Sequence, residues 1–84
     1  MASIHPASLI SIVELDRSNI EYDNLIQYLD DRNITYEFTP DYELSDCGTM
    51  DIPVPENRPE FITTFMIFFF HHFESENYYR VVIE

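Results

Sequence analysis

The sequence has no lysine and only four arginines, set against sixteen aspartates and glutamates. The formal net charge is −12 over 84 residues, whereas a small domain usually carries a net charge of roughly 2–8 in magnitude. Nucleic acids and anionic lipids repel such an acidic chain, so we expect no direct binding to DNA, RNA or membranes. Basic proteins are the partners that this charge favours.

Cysteine and glycine are each present once, and tryptophan is absent. The single cysteine, Cys47, rules out a disulfide framework within the chain and fits a reducing compartment, so we expect a cytoplasmic protein. The single glycine, Gly48, excludes a glycine-rich phosphate-binding loop. Residues 1–6 lack the basic and apolar regions of a signal peptide. The longest apolar run, residues 65–70, is too short to span a bilayer.

Hydrophobic residues nevertheless make up 45% of the chain, including seven phenylalanines and six tyrosines. Because disorder requires low hydrophobicity as well as high charge, this composition predicts a folded protein. A chain of 84 residues has the size of one small domain, which we place at residues 1–84.

The first half of the chain predicts a strand, a helix and a second strand. Residues 9–15 are apolar and β-branched, as in a buried strand. Ser18 and Glu21 match a capping box, and apolar residues at helical spacing follow, so we expect a helix over about residues 19–32 that ends at Asn33. Residues 34–39 alternate between polar and apolar and predict a half-buried strand ended by Pro40.

The second half is harder to interpret. Residues 41–59 predict a long acidic loop that contains prolines, with a short extended piece at residues 49–54. Aromatic and β-branched residues favour a strand over residues 61–73, although Asn57 and Pro59 could also begin a helix there. Residues 74–77 suit a hairpin loop, and residues 78–83 a final strand. The resulting α+β fold has the order β-α-β-loop-β-β, with one helix on one face of a mainly antiparallel sheet of three or four strands.

The predicted hairpin is apolar on both faces, and one helix covers only one of them. The uncovered face would then be an apolar interface for a protein partner or a second copy of the chain. Its residues are Phe65, Ile67, Phe69, His71, Phe73 and Tyr78.

The acidic residues are concentrated before Phe61, where thirteen of the sixteen occur. Carboxylates spaced along a strand or helix can imitate the regular charges of a DNA backbone. We therefore predict an acidic partner-binding face. Its residues are Glu14, Asp16, Glu21, Asp23, Asp30, Asp31, Glu37, Asp41 and Glu43.

No pattern in the sequence indicates an enzyme, a cofactor or a metal site. His71 and His72 would point to opposite faces of a strand and could not chelate one ion. A calcium loop counted from Asp41 lacks the required glycine and glutamate. Acidic neighbours disfavour a reactive thiolate at Cys47.

In size, acidity and lack of motifs, the chain resembles the small inhibitors that bacteriophages use against host nucleic-acid-binding proteins. These include anti-restriction, anti-CRISPR and uracil-DNA glycosylase inhibitor proteins. The resemblance is one of class and rests on no particular stretch of sequence. It implies a DNA mimic that acts in the host cytoplasm on a basic, nucleic-acid-binding protein. The alternative is an accessory or assembly protein that dimerises or binds a partner through the aromatic sheet face.

Overall fold

The computed structural model describes residues 8–43, 46–73 and 80–84. These residues form strand β1 (Leu9–Asp16), helix α1 (Tyr22–Asp31), strands β2 (Glu37–Pro40) and β3 (Cys47–Pro53), helix α2 (Phe61–His72) and strand β4 (Arg80–Ile83). The four strands make one antiparallel sheet in the order β2-β3-β1-β4. The predicted α+β class and antiparallel sheet are therefore confirmed.

The element order and strand order together give a ferredoxin-like topology. Helix α1 connects β1 to β2 and therefore crosses β3, whereas α2 connects β3 to β4 and crosses β1. This topology carries many unrelated functions, so the fold alone identifies none of them.

One hydrophobic core lies between the sheet and the two helices. Alternate strand residues point into it, because successive side chains of a strand face opposite sides. The other face of the sheet carries polar residues such as Ser11, Thr49 and Asp51, which are half-buried. The buried core residues are Ile10, Ile12, Leu15, Leu25, Leu29, Ile34, Met50, Ile52, Val54, Phe61, Phe65, Phe69 and Phe73.

The predicted strand over residues 61–73 is wrong, because α2 occupies this segment. Phe61, Phe65, Phe69 and Phe73 are spaced by four residues and form one buried stripe along the helix. The aromatic rings of successive members stack with centroids 5.6, 5.7 and 4.4 Å apart. Packing of this stripe against the sheet outweighs the strand propensity of the individual residues.

The predicted 41–59 loop is also partly wrong, because β3 runs through it as a central strand. The expected extended piece at residues 49–54 corresponds to most of this strand. Gly48 has to be a glycine here, since a Cβ atom at this position would collide with the Thr39 carbonyl oxygen and with Pro40 Cα, 2.9 Å away. Strand β4 pairs with β1 rather than with residues 61–73. The predicted hairpin loop at residues 74–77 lies outside the described residues.

Helix α1 ends as predicted but begins differently. Ser18 does not cap it, because its hydroxyl and its backbone N–H both donate to Asp16 Oδ1. At the other end, Asn33 adopts a left-handed conformation with φ 56°. The N–H of Asn33 donates to the Asp30 carbonyl and that of Ile34 to the Leu29 carbonyl. These two bonds form a Schellman motif, which satisfies the last carbonyls of the helix.

Candidate partner-binding surfaces

A β-bulge turns Glu14 outward at the end of β1. Ile12 is opposite Met50 and Leu15 is opposite Gly48, so two residues of β1 face only Thr49 between these pairs. Glu14 has a left-handed backbone with φ 67°. By strict alternation, Glu14 would follow Ile10 and Ile12 into the core. The extra residue instead places Leu15 in the core and leaves Glu14 exposed.

Glu14 lies close to the segment between β2 and β3. The Asp41 N–H donates to the Cys47 carbonyl at 2.8 Å, and the Arg17 N–H donates to the Asp46 carbonyl at 2.7 Å. These bonds hold both ends of the connecting segment against the end of the sheet. A depression of about 370 Å³ is lined there by Glu14, Asp41, Tyr42 and Glu43.

We call the carboxylates that meet here the sheet-end acidic cluster. All are exposed except Asp16, which is half-buried. Tyr42, between two of them, has a fully exposed side chain. The cluster thus offers an aromatic ring surrounded by negative charge, and tyrosine is enriched in protein interfaces. The cluster consists of Glu14, Asp16, Asp41, Glu43 and Asp46.

The Cys47 thiol is affected by the field of this cluster. Burial raises the pKa of the thiol, and the charges of Asp16, Asp41, Glu14 and Asp46 raise it further. A raised pKa keeps the thiol protonated and therefore weakly nucleophilic. Four carboxylates from separate parts of the chain therefore contribute to the raised pKa of the Cys47 thiol.

Asp16 is held in its charged form by a local turn. Its Oδ1 accepts bonds from the Ser18 hydroxyl at 2.7 Å and from the Ser18 N–H at 2.8 Å. These two bonds lower the pKa of Asp16, and burial opposes them only weakly. The charge at this corner of the cluster is thus fixed in position.

Three further predicted carboxylates lie on a different surface, the outer side of α1. Asp23, Asp30 and Asp31 are exposed there, and Asp31 Oδ1 accepts a bond from Gln27 Nε2 at 2.8 Å. The buried residues of this helix are Leu25 and Leu29, so its acidic side faces away from the core, as the periodicity predicted.

The remaining two predicted carboxylates lie apart from both groups. Glu21 precedes α1 and is 2.8 Å from His72 Nδ1. Glu37 lies on the open face of the sheet opposite Asp51, whose Oδ1 accepts a bond from the Ser11 hydroxyl. The nine predicted acids therefore do not form one face, although four of them belong to the sheet-end acidic cluster.

The predicted acidic face omits two carboxylates, Asp46 of the sheet-end acidic cluster and Asp51 on the open face of the sheet. The sequence predicts a loop without a defined position at Asp46, and the place of this residue beside β1 depends on the pairing of β1 with β3. One pattern in the sequence does indicate that Asp46 belongs with the predicted acids. It lies within six residues of Asp41 and Glu43, which are part of the predicted face.

The predicted apolar sheet face does not exist, because its residues from Phe65 to His71 belong to α2 and Phe73 directly follows that helix. Phe65, Phe69 and Phe73 are buried in the core, whereas Ile67 is 68% exposed and His71 is exposed on the outer side of the helix. Tyr78 lies outside the described residues. The residues therefore separate into core and surface instead of forming one interface.

Three arginines are engaged with aromatic rings or backbone carbonyls. The Arg17 guanidinium carbon lies 4.4 Å from the Phe38 ring centroid. That of Arg32 lies 3.6 Å from the Tyr28 ring centroid, and Arg32 also donates to the Tyr28 carbonyl. Arg58 donates to the Arg32 carbonyl at 2.6 Å. Cation–π contacts of this kind stabilise a guanidinium on the surface.

The structure indicates no metal centre among the residues that it describes. No group of three or more histidine, cysteine, aspartate or glutamate side chains is arranged there to hold a metal ion. His72 is directed to Glu21 instead. Neither α1 nor α2, the two described helices, is long and apolar enough to cross a membrane.

Comparisons with known proteins give no further assignment. No family model, no curated protein and no solved structure matches this chain.

Proposed function

We propose that this protein is a small inhibitor that binds a basic, nucleic-acid-binding protein in place of DNA. The phage-type inhibitors that it resembles in class act on host restriction, CRISPR or DNA-repair proteins, and we place its action in the host cytoplasm. The contact surface is the sheet-end acidic cluster. The observation that supports it is the convergence of five exposed or half-buried carboxylates on one end of the sheet.

The electrostatics of the chain suit this role. Clustered charge of one sign attracts an oppositely charged partner over a long range and speeds association. Each DNA strand carries one negative charge per ~3.4 Å of helix axis, so a cleft built for DNA tolerates closely spaced carboxylates. Tyr42 adds a ring at the centre of the charged surface.

The test is competition with duplex DNA. The immobilised protein is used to capture a partner from a lysate of the source cell, and the affinity for the purified partner is then measured with and without duplex DNA. We expect DNA to displace the protein and the affinity to fall as salt rises. A partner that binds protein and DNA at the same time would contradict the proposal.

A pair of charge-matched variants tests the surface. Asp41→Asn with Glu43→Gln removes two charges from the cluster, and Glu56→Gln with Glu60→Gln removes two exposed charges elsewhere. We expect the first variant to weaken binding at least about tenfold and the second less than about threefold. Equal effects of the two variants would assign the interaction to net charge rather than to the cluster.

A further inference from the structure

Strand β4 forms one edge of the sheet. It pairs with β1 on its inner side, and within residues 8–43, 46–73 and 80–84 no strand pairs with its outer side. An unpaired edge presents backbone N–H and C=O groups to any strand that can align with them. The other edge strand, β2, is protected because it carries Pro40, which has no N–H.

The outward backbone groups of β4 can be identified from its pairing with β1. Leu9 and Glu84 exchange both backbone bonds, at 3.0 and 2.9 Å. Such pairs alternate along an antiparallel ladder, so Val82 and Arg80 also direct their backbone groups toward β1. Val81 and Ile83 therefore direct their N–H and C=O groups toward the outer edge.

We propose that a second copy of this chain pairs antiparallel with β4, with a two-fold axis at Val82. In this register, Val81 of each copy is opposite Ile83 of the other. These are the residues whose backbone groups point outward, so the two pairs form four new backbone hydrogen bonds. The described strands of the two copies then form one continuous eight-stranded sheet, with the described helices of both copies on one face.

The sequence of β4 and the residue after it is complementary to itself in this register. Arg80 of one copy lies opposite Glu84 of the other, and the same pair repeats across the axis. Both residues are exposed and lie on the same face of the sheet as Val82. Opposite charges directly across an antiparallel pair stabilise it, and like charges destabilise it.

Helix α2 contributes apolar side chains on the same side of the molecule. Phe68 and His72 face α1, where Phe68 stacks on Tyr28 with centroids 4.0 Å apart. Met66 and Phe70 lie about 160° around the helix from Phe68, on the side toward β4. Phe70 is 53% exposed, and pairing of the β4 edges brings the two copies of α2 together over this surface.

The distribution of charge favours a second copy at this edge. Residues 61–73 contain no aspartate, glutamate, lysine or arginine, and the acids on α1, β2 and β3 lie toward the opposite edge of the sheet. Two copies joined through β4 thus keep most of their carboxylates apart.

Charge exchange at the interface tests the register. The dimerisation constant of the full chain is measured by sedimentation for the wild type, Arg80→Glu, Glu84→Arg and the double variant. Each single change sets like charges opposite each other twice per dimer, and we expect it to weaken dimerisation at least about tenfold. The double variant restores opposite charges, so its constant returns to within about threefold of the wild type.

Two controls separate this effect from net charge and from folding. Thr35→Glu with Asn57→Asp matches the charge change of Arg80→Glu at exposed sites away from β4 and leaves the dimer intact. Ile83→Pro removes an outward N–H while sparing the bonds to β1, and it abolishes dimerisation. Circular dichroism verifies that each variant is folded. A monomeric wild type, or a folded double variant that fails to recover, would overturn the proposal.

Discussion

The carboxylate of Glu21 joins the start of α1 to the end of α2. It accepts a bond from Asn24 Nδ2 at 2.9 Å and lies 2.8 Å from His72 Nδ1. The pKa of Glu21 lies below its ordinary value of 4.5. The hydrogen bond from Asn24 is the largest cause, and the hydrogen bond with His72 is the second. A carboxyl whose pKa is lower in the folded state stabilises the fold above its ordinary pKa, and this contribution is lost as pH falls through the lowered value.

We therefore expect Glu21→Gln to reduce the free energy of unfolding at neutral pH and to lose its effect in acid. Urea denaturation of the wild type and the variant between about pH 7 and pH 3 measures this difference. Glu56→Gln, at an exposed loop position, is the control and should show no such convergence. A Glu21→Gln difference that stays constant over the whole range would show that the ionised Glu21 carboxylate is not its source.

The packing of helix α2 depends on which of its aromatic residues are buried. Phe69 is fully buried between Phe65 and Phe73, with centroid distances of 5.7 and 4.4 Å. Its neighbour Phe70 is 53% exposed. Phe69 and Phe70 are the same residue type, so a comparison of their alanine variants measures the effect of burial.

We expect Phe69→Ala to lower the free energy of unfolding by about 3–5 kcal/mol through loss of burial and formation of a cavity. Phe70→Ala should cost less than about 1 kcal/mol in dilute protein. Urea denaturation measures both, and Phe69→Leu replaces Phe69→Ala if the latter does not fold. Equal costs for the two alanine variants would contradict the burial pattern of α2.

The elements differ in how far the sequence could predict them. β1 and the end of α1 at Asn33 follow from local patterns, which the structure confirms. The spacing of four between the buried phenylalanines was visible in α2, but Phe68 and Phe70 obscured it because almost every position there is apolar. β3 was missed because its pairing with both β1 and β2 is a long-range property, whereas the acids and prolines around it locally indicate a loop.

The candidate site was predictable in composition but not in arrangement. Exposure of the carboxylates follows from their charge, and the structure buries no charged side chain among the residues it describes. Their grouping depends on the bulge at Glu14 and on the register of β1 with β3. Neither can be read from residue spacing. The acids that the sequence assigns to one face therefore lie on several separate surfaces of the fold.

The two proposed interfaces lie on different parts of the fold. The sheet-end acidic cluster is formed by the end of β1 and the segment between β2 and β3, whereas the self-association surface is the outer edge of β4. A dimer formed through β4 leaves both clusters accessible. Such a dimer would present two sites to a partner, and a partner with two basic clefts at a suitable distance would bind it with increased avidity.

The protonated thiol at the end of the sheet makes Cys47 a chemical sensor of the charges around it. Because burial and, after it, the nearby carboxylates raise its pKa, we expect slow alkylation by neutral iodoacetamide. The carboxylate contribution predicts faster alkylation in high salt, and faster alkylation in Asp46→Asn than in Glu56→Gln. The rate is followed by mass spectrometry, and a rate unaffected by salt and by Asp46→Asn would contradict this expectation. A bound partner that covers the cluster should protect the thiol from alkylation. The alkylation rate of Cys47 would then measure how much of the cluster is occupied by the partner, without a label attached to the interface.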